Sequence, residues 1–177
     1  MIAPQRRIGV ILLVVCSMVA AVLTAPVADA AAPVDTVNID LAPLIDRAAS
    51  SPDRFAVEVP HQVSLARDGA WTRHGSQDTW DLTVRVPTAV TLSFHASQIF
   101  LPPSAVLRVS ASGVTYEYTP EKIHGRELWS RLGKGDTLDL RLTVNHADRQ
   151  QVLLEIAAFQ AGYRSAGLRA RAPGART

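Results

Sequence analysis

Between residues 78 and 110 the side chains alternate with a period of two, and that pattern constrains the fold more than any other feature. Trp80, Leu82, Val84 and Val86 are interleaved with Asp81, Thr83 and Arg85. Val90, Leu92 and Phe94 alternate with Thr91, Ser93 and His95, and Ala105, Leu107 and Val109 with Val106, Arg108 and Ser110. A period of two sends one set of side chains to a buried face and the other to water, which describes half-buried antiparallel strands. Pro87, Pro102 and Pro103 separate the runs, because proline has no N–H to give to a ladder.

The rest of the chain repeats the theme. Residues 55–65 read as a strand pair, or as one strand broken near Pro60. Asp68 and Gly69 form a turn, since both tolerate the positive φ of a tight hairpin. Residues 71–74, the alternating set Val114, Tyr116 and Tyr118, and residues 127–131 around Trp129 are further short strands. Residues 133–136 read as a four-residue turn. Leu138, Leu140, Leu142 and Val144 alternate again, and residues 151–159 close the domain. Eight or nine short strands at regular turn spacing, without the helical crossovers of a parallel sheet, predict an all-β antiparallel sandwich of jelly-roll or Greek-key type over residues 52–164.

The flanks differ. Arg6 and Arg7 precede an apolar run over residues 8–23, followed by Ala28-Asp29-Ala30. This is the layout of a secretory signal peptide over residues 1–30, which predicts export to the extracellular space or periplasm and no membrane attachment after cleavage. The length of the run leaves a membrane anchor as the rival. Cys16, the one cysteine, lies inside that run, so the remainder lacks thiolate nucleophiles and cysteine-based metal sites. Residues 31–51 read as a leader arm with a possible short helix, capped by Asn38, Asp40 or Asp46, that covers a sheet edge or acts as a docking segment. Residues 165–177, rich in Arg, Ala and Gly, read as a disordered tail. The formal charge of +2 is misleading. Residues 31–163 carry 12 Lys+Arg against 15 Asp+Glu, so the body has no nucleic-acid footprint.

No motif for a nucleophile elbow, a zinc protease, a phosphate loop or a dinucleotide is present. His61, His74, His95, His124 and His146 stand apart in sequence, and Asp78/Asp81 and Glu117/Glu121 read as solvated pairs. The expectation is a protein without catalytic, metal or cofactor residues. Trp71, Trp80 and Trp129 are assigned to the core or its rim. Trp71, Tyr116, Tyr118 and Trp129 are the candidates for stacking on a ligand such as a sugar, should they face outward.

An ordered string of short motifs then suggests a relationship. It runs through Arg54-Phe55-Ala56-Val57, Gly69-Ala70-Trp71, the stretch Trp80-Asp81-Leu82-Thr83-Val84-Arg85-Val86-Pro87, Leu92-Ser93-Phe94 and the stretch Leu101-Pro102-Pro103-Ser104-Ala105-Val106-Leu107-Arg108-Val109. Glu127-Leu128-Trp129, Gly135-Asp136 and Gly162-Tyr163-Arg164 complete it. The body resembles the non-catalytic N-terminal pro-region of secreted bacterial lysyl-endopeptidase-like serine proteases, which are trypsin-fold enzymes. The resemblance implies a domain that assists folding of such a protease or inhibits it, in cis or in trans, with a trypsin-like protease as partner. In those precursors the protease follows the last tripeptide; its His-Cys and Gly-Asp-Ser-Gly-Gly motifs are missing here, so no catalytic residue carries over. Either the gene is truncated, or the domain stands alone as an exported module binding carbohydrate or protein.

Overall fold

A computed structural model describes residues 31–49 and 54–164. The expected signal peptide and arginine-rich tail lie outside the described residues. The chain forms β1 (Val34–Thr36), α1 (Ala42–Ala49), β2 (Ala56–Ser64), β3 (Ala70–His74), β4 (Gln77–Arg85), β5 (Thr91–Phe100), β6 (Val106–Ala111), β7 (Val114–Tyr118), β8 (Leu128–Trp129), β9 (Gly133–Lys134), β10 (Thr137–Asn145) and β11 (Leu153–Gly162). In the first sheet β1 and β3 share one edge of β4, followed by β10, β6 and β7. In the second, β2, β11 and β5 lie side by side, and β8 and β9 share the far edge of β5.

This is an all-β sandwich, as the alternation predicts. Among the described residues the strands number eleven rather than eight or nine, because β1 and β9 are ladders of two or three residues too short to show a period. Residues 127–131 contribute only Leu128–Trp129 as a strand, and half of the expected turn at 133–136 is β9. Every pairing is antiparallel except that of β1 with β4. The leader arm supplies β1, which caps the edge of β4. Asp40 Oδ1 accepts the N–H of Ala42 at 3.0 Å and so caps α1.

The core is the alternate residues of both inner faces. Trp80, Leu82 and Val84 of β4 meet Leu138, Leu140 and Leu142 of β10 in one sheet, opposite Leu92, Phe94, Leu154 and Phe159 in the other, all at most 2% exposed. Sheet two breaks strict alternation. Ser97 of β5 and Ala157 of β11 are extra residues in their pairing, and β2 takes an extra residue just after Pro60. One bulge shifts the parity of a strand by one. Leu154 and Ile156 therefore face the core before the bulge, and Phe159 and Ala161 after it.

The same region corrects the expectation for Val90. Val90 is 43% exposed while Thr91 is buried. Val90 donates its N–H to Gly162 O before β5 begins, so it sits on the rim. Gly162 lies opposite Thr91, and a Cβ there would overlap the Thr91 hydroxyl.

Candidate functional site

The outer face of sheet two carries the most exposed aromatic ring of the described residues. On β8 Leu128 points into the core, so the next residue, Trp129, points out and is 60% exposed. The core-rim assignment for Trp129 is therefore corrected: a two-residue strand at a sheet edge has no second layer to cover its outward side chain. Trp129 pairs with His95 of β5, and the two rings lie flat on each other, 4.1 Å apart and 13° from parallel. His95 Nε2 is 3.3 Å from Glu127 Oε2. The imidazole thus backs the indole on one face and fixes its orientation.

Beside this pair the outward residues Glu58 of β2, Gln160 of β11 and Ser93 of β5 form a row across three strands. A groove of about 550 Å³ runs from Trp129 over Gln160 to Glu58 and Ala56. Leu44 and Arg47 of α1, with Arg54, form its other wall. The Gln160 side chain is unusual. Neither its amide nitrogen nor its amide oxygen has a hydrogen-bond partner, and both atoms are shielded from solvent. A shielded amide left unpaired costs about 1–3 kcal/mol per group. Nearby Ala158, the outward neighbour of His95, is buried without belonging to the inter-sheet core.

The other stacking candidates are not brought to this face. Trp71 on β3 is partly covered, donates Nε1–H to Leu65 O at 3.2 Å, and lies 4.2 Å beneath the Arg149 guanidinium. Tyr118 on β7 is buried; its hydroxyl accepts the N–H of Arg131 at 2.7 Å, and burial pushes its phenol pKa up. Tyr116, half-buried, stacks under Arg131 at 5.5 Å. With Thr115, Glu117 and Lys122 these two tyrosines and Arg131 line a separate groove of about 570 Å³ at the β7 edge. Of the four, only Trp129 presents a free ring.

A second polar cluster was not expected. Asp78 shares the parity of Trp80 and Leu82, so it points inward, and it is 1% exposed rather than solvated. That parity was the available signal. His146 Nδ1 lies 2.9 Å from Asp78 Oδ2, and Arg149 Nη1 lies 3.4 Å from the same oxygen. The hydrogen bond from His146, ahead of the Arg149 charge and against the effect of burial, holds the Asp78 carboxyl below its ordinary range. His146 Nε2 faces Arg73 Nη1 at 3.3 Å. A guanidinium only donates, so Nε2 accepts and the proton sits on Nδ1. The arrangement is the back half of an Asp–His dyad, but the nitrogen that would activate a hydroxyl is held by a cation. It ties β4 to the turn that follows β10.

Among the described residues there is no group of three or more His, Cys, Asp or Glu that could hold a metal ion, and no helix long and apolar enough to cross a membrane. No protein-family model matches the chain, and no curated protein matches it.

Proposed function

We infer that this chain is a non-catalytic recognition domain of the kind its resemblance implies: an exported pro-region-like sandwich that folds or inhibits a trypsin-fold serine protease. One observation carries the reading. Where β11 ends, Tyr163 is pinned by its N–H to Phe55 O at 3.0 Å and by its hydroxyl to Arg54 O at 2.6 Å. Around that point Phe55 and Val90 are 44% and 43% exposed, one on each side of Gly162. In the resembling precursors the protease follows this tripeptide, so a partner tethered there meets this apolar collar first. Apolar contacts at the centre of an interface supply most of its affinity.

The test is to titrate a lysine-specific trypsin-fold protease with the full chain and follow hydrolysis of a peptide substrate, alongside refolding of the denatured protease. Inhibition or assisted refolding is expected, weakened about tenfold or more by the pair Phe55→Ser and Val90→Ser, which removes about 1.4 kcal/mol or more of binding. Absence of both effects in the unsubstituted chain rejects the reading. The exposure of Trp129 favours a second one, an exported module that binds carbohydrate.

A further inference from the structure

We propose that the Trp129–Gln160 groove is a saccharide site for a β-linked, all-equatorial pyranose chain, a claim that rests on the second reading alone. Three features of the groove converge on that chemistry. The Trp129 ring is held flat by His95 at 4.1 Å, which leaves its other face as a platform. An all-equatorial pyranose has a flat face of axial C–H bonds, and such a face covers an indole without any hydrogen bond being lost. Gln160 carries one donor and one acceptor on a single side chain of the groove lining, neither of them engaged within the protein; both are shielded as the side chain stands, so a turn of that side chain must bring them to the ligand. Two vicinal equatorial hydroxyls, each able to donate and accept, match that pair. Glu58, directly across from Gln160, and Arg54 complete a rim of side chains that hydrogen-bond neutral hydroxyls.

The position of the groove argues against an extended peptide as occupant. Gln160, at the middle of the groove, is an outward-facing residue of β11, which is paired on both sides by β2 and β5, so the groove floor overlies a sheet face whose backbone N–H and C=O groups are engaged in ladders. A peptide strand recognises sheets by adding to an edge, where backbone groups are open. A sugar needs only side chains. Concave sites of a few hundred Å³ with one aromatic wall and a few placed polar groups are the ordinary form of small-ligand sites.

The unpaired Gln160 amide also sets the sign of a stability effect that a purely structural residue would not show. Gln160→Leu removes an uncompensated polar burden, so it raises the melting temperature by a few degrees while weakening the saccharide. The experiment titrates the full chain with cellohexaose up to about 10 mM, above the dissociation constant of a millimolar site, and reads tryptophan fluorescence and heat. Binding is expected in the unsubstituted chain and in Trp71→Phe, with at least a tenfold loss in Trp129→Ala and in Gln160→Leu. No binding in the unsubstituted chain, equal binding in Trp129→Ala, or a lowered melting temperature in Gln160→Leu overturns the proposal. So does capture of a peptide but not of cellohexaose in the groove, which makes it a protein-docking surface. Protease inhibition is read separately and decides the other reading on its own.

Discussion

Gly69 shows how much a single residue is asked to do in this chain. It sits at φ +73, and a Cβ there would lie 2.5 Å from Nε1 of Trp80, the largest buried side chain of the core. That indole donates its N–H to Asp68 O at 2.7 Å, so the turn and the core residue are locked together. Gly69→Ala is expected to destabilise the protein by about 2 kcal/mol or more, from positive-φ strain and displacement of the indole together, read as a shift of the urea midpoint. Asp78 makes a different prediction. Its folded pKa lies below its unfolded value of 3.8, chiefly through the His146 hydrogen bond. A depressed carboxyl contributes stability that is complete above the unfolded value and is lost as pH falls through the folded one. Acid titration of the melting temperature should therefore steepen below about pH 3.8, and Asp78→Asn should flatten that limb. An unchanged acid limb in the variant would show that other carboxylates, such as Asp136 beside Arg85, set it.

At the scale of elements, the arm and the bulged sheet matter most. Asp35 of β1 reaches across the open side of the sandwich to His61 of β2, with 2.6 Å between Oδ2 and Nε2. The same arm takes the N–H of Thr83 on Pro33 O and gives the N–H of Val37 to Arg85 O. Asp35→Ala is expected to speed amide exchange of Thr83 and Val37 by about tenfold, equivalent to about 1.4 kcal/mol of local opening, while central strands β10 and β11 stay protected. Uniform exchange across the molecule would show instead that the arm opens only with global unfolding. Legibility at this scale followed the environment of each strand. In β4 and β10 every inward position from Trp80 to Val84 and from Leu138 to Val144 was readable, because an uninterrupted strand with one wet face must alternate. In β2, β5 and β11 the bulges near Pro60, Ser97 and Ala157 reset the parity, and a bulge is a property of the pairing rather than of either strand.

For the whole molecule, the two sheets share one hydrophobic core, in which Phe159 of β11 meets Phe94 of β5 edge-on with 6.4 Å between ring centroids. Phe159→Ala should cost about 3–5 kcal/mol, a large part of the roughly 5–15 kcal/mol that holds such a domain. Far-ultraviolet dichroism and tryptophan fluorescence should report a single shifted transition; two separated transitions would mean that the sheets unfold independently. The amino-acid sequence by itself determined that this is a β-sandwich, since period-two alternation and proline-marked turns are local and act before any contact forms. It also determined that Trp80 is core, through its place in an unbroken alternating run. Only the tertiary structure decided that Trp129 is bare, that Asp78 is buried against His146, and that Gln160 shares a groove with α1. Those facts depend on which strands become neighbours across long separations in the chain, and no short-range pattern encodes what stands opposite a residue or whether anything covers it.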